Sequence, residues 1–311
     1  MNSTAINTTA QETAWIVAPA QFAKVDGDAH LVAMWLQNAR SNSKHTESAY
    51  HRAWVKFNEF TDNAPLQSLT LNDIQDYLEH LQGQTQPNGK PFSSESIRGW
   101  MAGIKSLLSY GNKLGYLPWN VGAPVKLPKG KDTLAERILT EEEAYRIVTG
   151  ENTPRNSALI RVLYSSAGRV SEVCALTWAD VRTGEDGLIT ITLFGKGNKT
   201  RYVTLTPSAS GALATIRPIG ATSTDPVFRS NKGGPLTRQQ VQRIVRAAGD
   251  RAGIDGNVSP HWMRHSHATH AINRGCPISL LSKDMGHSSE AITGKYLHVT
   301  PGESSSKFLA F

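Results

Sequence analysis

Ser259-Pro260-His261-Trp262-Met263-Arg264-His265-Ser266-His267-Ala268-Thr269-His270-Ala271-Ile272-Asn273-Arg274-Gly275 reads as one helix with its chemistry in the first two turns. Ser259 suits the N-cap, Pro260 the first helical position, where a missing amide proton is tolerated, and Gly275 the stop. Arg264 falls one turn after His261, so both side chains project from one face. Two fragments precede this helix, Ala167-Gly168-Arg169-Val170-Ser171-Glu172 and Gly195-Lys196-Gly197-Asn198-Lys199. Two follow it: His287 in Gly286-His287-Ser288, then Tyr296. Two arginines, a lysine, two histidines and a tyrosine are the groups needed to attack a phosphodiester without a metal. A guanidinium forks onto two phosphate oxygens and keeps its charge, which suits an anion gaining charge in the transition state. Lys196, flanked by glycines at a hairpin tip, suits protonation of the leaving 5′ oxygen. A phenol with a pKa of about 10 is ionised to about one part in a thousand at neutral pH, so Tyr296 needs nearby cations or a base. His261 and His287 are the candidates, and the residues leave their division of labour open.

Each residue alone has a plainer reading. Arg169 could be a helix-start arginine paired with Glu172, Lys196 a turn lysine, and Tyr296 a core or interface tyrosine. His267 and His270 read as packing or hydrogen-bonding histidines, and His265 as a support for the helix. His261 and His265 have the i, i+4 spacing of a metal pair, but no Glu lies between them and no third ligand follows. No metal and no other cofactor is expected. Cys174 and Cys276 stand in different motifs without metal spacing and read as two reduced thiols.

The charge is uneven. Net charge is +7, yet residues 26–123 carry 8 basic and 9 acidic side chains while 124–311 carry 24 and 16. Within the second part Arg229, Lys232, Arg238, Arg243, Arg246 and Arg251 face only Asp250, a local excess that fits a polyanion. No run of about 18 apolar residues is present, and the N-terminus lacks a basic then apolar leader, so a cytoplasmic, nucleoid-associated protein is expected.

Periodicity divides the chain. Residues 1–25, rich in Ala, Thr, Gln and Asn, read as a flexible arm. Residues 26–123 read as a four-helix unit. Leu31, Met34, Trp35 and Ala39 mark the first helix, and Tyr50, Trp54, Phe57 and Phe60 the second. Ile74, Tyr77, Leu78 and Leu81 follow an N-cap at Thr70, and Ile97, Met101, Ile104, Leu107, Leu108 and Leu114 complete the set. Residues 124–138, with Pro124, Pro128, Gly130, Lys126, Lys129 and Lys131, read as an extended basic linker. The second domain, 139–311, opens on a capping box at Thr140-Glu141-Glu142-Glu143. Helices are expected to Leu176, a β-hairpin from Leu188 to Leu205, then helices over Thr237–Ala252 and Ser259–Arg274 and a last one capped by Ser288 and carrying Tyr296.

On these residues the chain resembles the tyrosine recombinases of the phage-integrase type, in particular their short Xer-like members, over roughly residues 28–300. The resemblance implies a mostly helical protein with a small β-hairpin or sheet: an N-terminal helical, SAM-like core-binding domain and an α+β catalytic domain. It places the family's catalytic set on Arg169, Lys196, His261, Arg264, His287 and the nucleophile Tyr296, with Glu172 as an acidic partner of the site. It implies double-stranded DNA recombination sites as partner, a homotetramer on paired sites, and a covalent 3′-phosphotyrosyl intermediate. Glu303 to Phe311 would dock on a neighbouring subunit, and the arm is shorter and less charged than the arm-binding domain of larger integrases. Arg238, Gln239, Gln242 and Arg243 open a helix like the family's major-groove reader, since Arg and Gln suit bidentate contacts to guanine and adenine. Lys199, Arg201, Lys126, Lys129, Lys44, Arg52, Arg98 and Lys105 are candidate phosphate contacts, the last four equally readable as surface charges. Two positions depart from the family: glycine more often stands one place before Gly168, and Gly294 stands where a Thr or bulkier residue is usual. A type IB topoisomerase shares the chemistry, and a non-catalytic site-binding protein shares the surface. The helical first domain argues against the former and the intact six-residue set against the latter.

Overall fold

The computed structural model describes residues 24–128, 137–195, 199–287 and 289–298. Nearly all of the N-terminal arm, the middle of the linker with Lys129 and Lys131, and the segment from Glu303 to Phe311 lie outside these residues, as do Lys196 and Ser288. The chain divides into two compact units, with the division between Lys131 and Asp132.

The first unit holds four helices, α1 (Asp28–Asn42), α2 (Lys44–Phe60), α3 (Leu71–Gly83) and α4 (Ser94–Lys113). Thr70 and Asp73 exchange side-chain and backbone hydrogen bonds in a capping box that starts α3, satisfying amides that have no partner within the helix. The apolar faces meet in a core of Leu31, Trp35, Phe57, Tyr77, Leu81, Met101 and Ile104. Trp35 stacks on Tyr50 with centroids 4.8 Å apart, and its indole N–H donates to Ser106 Oγ at 3.2 Å. Two of the candidate phosphate contacts also bind main chain. Lys105 donates to the carbonyls of Ala123 and Val125, and Arg98 to that of Pro128. Both cations bind the start of the linker, because its turn leaves carbonyls without partners that a charged donor satisfies well. Lys44, Arg52 and Lys126 are exposed.

The second unit begins with the Thr140–Glu143 capping box on α5 (Glu141–Thr149). Next come α6 (Pro154–Ser166) and the short α7 (Val170–Cys174), then β1 (Val181–Thr183), β2 (Ile189–Phe194) and β3 (Thr200–Thr204). The remainder is α8 (Pro207–Thr215), α9 (Arg238–Arg251), α10 (Pro260–Asn273), α11 (Ile278–Met285) and α12 (Glu290–Gly294), closed by a 3₁₀ turn over Lys295–His298. The sheet is antiparallel in the order β1-β2-β3. Ile191 pairs with Val181 on one side and Val203 on the other, and Ile189, Ile191, Leu193 and Val203 face the core. Sequence pattern finds the hairpin but not β1, whose three residues are too few to show a period of two. α6 is buried on several faces, with Ala158, Leu159, Ile160, Val162 and Leu163 enclosed. The last helix is also shorter than its pattern suggests. α12 starts after Ser289 and ends at Gly294, so Tyr296 lies in the 3₁₀ turn.

Gly249 in α9 and Gly99 in α4 make a test of packing. A methyl group on Gly249 would lie 2.6 Å from a methyl of Val258, whereas one on Gly99 would meet nothing within 4 Å. Alanine gains up to about 1 kcal/mol of helix propensity at either site, but overpacking costs about 1–3 kcal/mol. Because Val258 is buried and β-branched, Gly249→Ala is expected to lower the melting temperature and Gly99→Ala to raise it, measured by thermal denaturation.

Candidate active site

Ala167, the C-cap of α6, has φ 48 and ψ 25. A left-handed conformation costs a residue with a Cβ about 1–2 kcal/mol. That reversal stops the helix and delivers Arg169 to the N-cap of α7. The position where the family more often has glycine is thus one whose backbone favours glycine. Gly168 is needed for another reason: a Cβ there would lie 2.9 Å from Val173.

Three guanidinium groups converge on the C-terminus of α11. Arg201 Nε donates to the carbonyl of Asp284 at 2.6 Å, Arg264 to that of Met285 at 2.7 Å, and Arg169 to that of Gly286 at 3.1 Å. These are among the carbonyls a helix end leaves unpaired, and the helix dipole favours cations there. Gly286 caps α11 at φ 63, and a Cβ on it would lie 3.1 Å from the Arg201 guanidinium. Arg264 also donates to the Ala167 carbonyl.

Glu172 lies behind this group. It accepts from Arg201 at 3.1 and 2.6 Å, from the Arg169 guanidinium at 3.0 Å and from the Arg169 amide at 2.8 Å. Burial alone would raise its pKa, but these bonds, led by Arg201, hold it below the usual carboxylate value. Arg201 is itself buried, at 7% exposure. The expectation that it contacts DNA is therefore corrected: β3 turns it inward beside Val203, and its guanidinium is committed to Glu172 and α11.

Arg264 donates to Nε2 of His287 at 3.1 Å. That bond assigns the lone pair of His287 to Nε2 and the proton to Nδ1, which meets Thr293 Oγ1 at 2.8 Å. His287 is pulled down to about 4 by burial and by the charges of Arg264 and Arg169, so it is neutral at pH 7. Arg264 is lowered to about 10 by burial and by Arg169 and stays charged. His261 is exposed at the start of α10, its pKa lowered by desolvation and by Arg264, Arg137 and Arg169.

Tyr296 is 5% exposed and packs with Ala167, Ala268, Leu281 and Met285. Its hydroxyl lies 2.7 Å from Nδ1 of His265. Burial raises the phenol pKa, and Arg264 opposes that rise. Neither His261 nor His287 bonds the hydroxyl among the described residues; His265, read from sequence as a helix support, does. His267 and His270 are structural, bonded to the Tyr164 carbonyl at 2.7 Å and to the Tyr164 hydroxyl and Leu139 carbonyl at 2.7 and 2.8 Å. Beside His287 opens a cavity of about 520 Å³ lined by Gly195, Lys199, Arg201, Tyr202, Lys283 and His287. Arg238, Gln239, Gln242 and Arg243 are exposed on α9. No group of three or more metal-ligating side chains occurs among the described residues.

The Phage integrase family profile matches residues 137–303, more than half of the chain. The chain belongs to the phage integrase family. The chain is 30% identical to tyrosine recombinase XerC of Anoxybacillus flavithermus (strain DSM 21510 / WK1) over 286 residues, 87% of this chain and 92% of that one. It is also 30% identical to tyrosine recombinase XerD of Bifidobacterium longum (strain NCC 2705), covering 82% and 87%. In fold the chain is similar to XerH recombinase bound to difH substrate, with TM-score 0.66, 21% identity and coverage of 89% and 81%. It is likewise similar to a lambda integrase dimer bound to a COC′ core site, with TM-score 0.71, 17% identity and coverage of 90% and 98%. The chain is a tyrosine-type site-specific recombinase.

Neutral, half-buried histidines make the protein acid-sensitive. His265, His267 and His287 sit at about 4 in the folded state against about 6.5 unfolded. Between those values the unfolded chain binds more protons, so their contribution is full above pH 6.5 and is lost as pH falls toward 4. The urea midpoint is expected to drop between pH 7 and pH 5, and the drop to shrink in His265→Asn; a flat midpoint over that range would contradict the assignment.

Proposed function

We propose that Tyr296 attacks the scissile phosphorus, leaving a 3′-phosphotyrosyl link and a free 5′ hydroxyl, and that attack of the partner strand's 5′ hydroxyl completes recombination. The phosphotyrosyl bond conserves the energy of the broken phosphodiester, so neither metal nor ATP is required. One observation carries the reading. Arg169, Arg201 and Arg264 meet at one helix end, and Glu172 is the carboxylate hydrogen-bonded to them among the described residues. That excess of positive charge is matched by a phosphodiester, whose charge grows as a pentacoordinate phosphorus forms. Arg169 and Arg264 hold the non-bridging oxygens, and His261 and His287 assist at the same phosphate. Lys196, from the turn that Gly195 and Lys199 close by a 2.8 Å backbone bond, protonates the leaving 5′ oxygen.

Lys199 contributes a phosphate contact beside the cavity, while Arg238, Gln239, Gln242 and Arg243 read the major groove from α9. Lys44, Arg52 and the basic linker, with Lys126 and Lys129, contact the backbone. XerH has been solved bound to difH substrate, and lambda integrase as a tetramer bound to a Holliday junction. A homotetramer on paired sites is the assembly proposed for this chain, in the cytoplasm in association with the nucleoid.

Duplexes drawn from a random-sequence pool and retained covalently in excess EDTA test the chemistry. The wild-type protein is expected to be trapped on them through Tyr296. Tyr296→Phe should bind the same duplexes without covalent attachment. Lys196→Ala should lose cleavage and regain it on a substrate with a 5′-bridging sulfur, which leaves without a proton. Covalent trapping of Tyr296→Phe, or cleavage that returns only with Mg²⁺, would overturn the reading.

Contacts divide by what they read. Arg238→Ala should relax sequence preference at the selected site. Lys126→Ala should weaken all duplexes alike and reduce the slope of log affinity against log salt by about 1. Identical behaviour of the two variants, measured by binding titrations across salt, would reject α9 as the reader.

A further inference from the structure

We propose that His265 is the base that takes the proton of Tyr296, a role that rests on Tyr296 being the nucleophile. The hydroxyl of Tyr296 lies 2.7 Å from His265 Nδ1, within the reach required for direct transfer. No other hydrogen bond to that hydroxyl occurs among the described residues. In the tautomer with the imidazole proton on Nε2, the phenol donates to the Nδ1 lone pair. His287 is excluded from this part by its own bonds, Nε2 to Arg264 and Nδ1 to Thr293. His261 lies one turn before His265, with ring centroids 6.3 Å apart, and carries no bond to the phenol.

The step balances. The Tyr296 O–H bond breaks and its proton passes to Nδ1 while the phenol oxygen bonds phosphorus. The bond from phosphorus to the 5′ oxygen breaks, and that oxygen takes a proton from Lys196. Religation runs the same transfers backward. The groups facing His265 are His261 and Arg264 on its own helix, Arg137 ahead of α5, His287 after α11 and Tyr296. In the free protein burial and this positive surround hold His265 neutral with its lone pair available. A bound phosphate offsets Arg264 and makes the imidazole a stronger base as the attack begins.

Asparagine places an acceptor near the Nδ1 position but takes up no proton, so His265→Asn separates proton transfer from positioning. The assay uses the duplex this protein selects from a random pool, nicked beside the scissile phosphate to trap the covalent product. His265→Asn is expected to bind that duplex as wild type does and to cleave about 10²–10⁴-fold more slowly. Its rate should climb about tenfold per pH unit from 7 to 9, since phenolate must then form from solvent. The wild-type rate should level off over the same range. A variant with wild-type rate and pH profile would overturn the proposal. So would a wild-type rate that itself climbs tenfold per unit, a measurement independent of whether the variant folds. Covalent capture of Tyr296→Phe on the same duplex would instead sink the nucleophile assignment, so the two failures are distinct.

Discussion

Three backbone carbonyls at the end of α11 organise the catalytic unit. Asp284, Met285 and Gly286 accept from Arg201, Arg264 and Arg169, which come from β3, α10 and the turn after α6. Helix-end carbonyls need donors, and guanidiniums need acceptors when they leave water, so each requirement answers the other. Arg264 adds the Ala167 carbonyl from the far side, joining α6, α10 and α11 through one side chain. Loss of that arginine would leave acceptors from two elements unpaired in a buried place.

Gathering like charges has a cost that the fold offsets only in part. Glu172 neutralises the inner side of the group, being held by both Arg169 and Arg201, while Arg264 has no carboxylate bonded to it among the described residues. Arg201 is inward and structural, with 6% of its side chain exposed against 34% for Arg169. Strain is placed at the same spot. Ala167 adopts a left-handed backbone where its carbonyl meets Arg264, as is common where geometry serves function more than stability.

Tyr296 is tied to this group from two directions. Thr293, one turn before Tyr296, bonds His287, which bonds Arg264. His265, next in sequence to Arg264, bonds the phenol itself. A shift of the guanidinium is therefore transmitted to the tyrosine at both ends. The α12 segment is short and followed by a 3₁₀ turn, so its placement depends on these bonds more than on its own helical hydrogen bonds.

Caps and apolar spacing made most helices legible from sequence. Thr70, Thr140 and Thr237 start helices through capping boxes, local signals that need no tertiary partner. The order of candidate groups from Arg169 to Tyr296 could be read because residue type suggests the chemistry. Arg201 was readable in principle, since it alternates with exposed Thr200 and Tyr202 and shares its parity with buried Val203 and Leu205. Its charge argued for the surface, and the partner that reverses that argument, Glu172, lies 29 residues away. The contact between His265 and Tyr296 spans 31 residues, and that between Arg201 and Asp284 spans 83. Periodicity reports which face of an element a residue occupies. Which group meets it there is decided only when the helices pack, so sequence determined the elements and the candidate set, and tertiary structure decided which histidine holds the phenol and which arginines are bonded to a carboxylate.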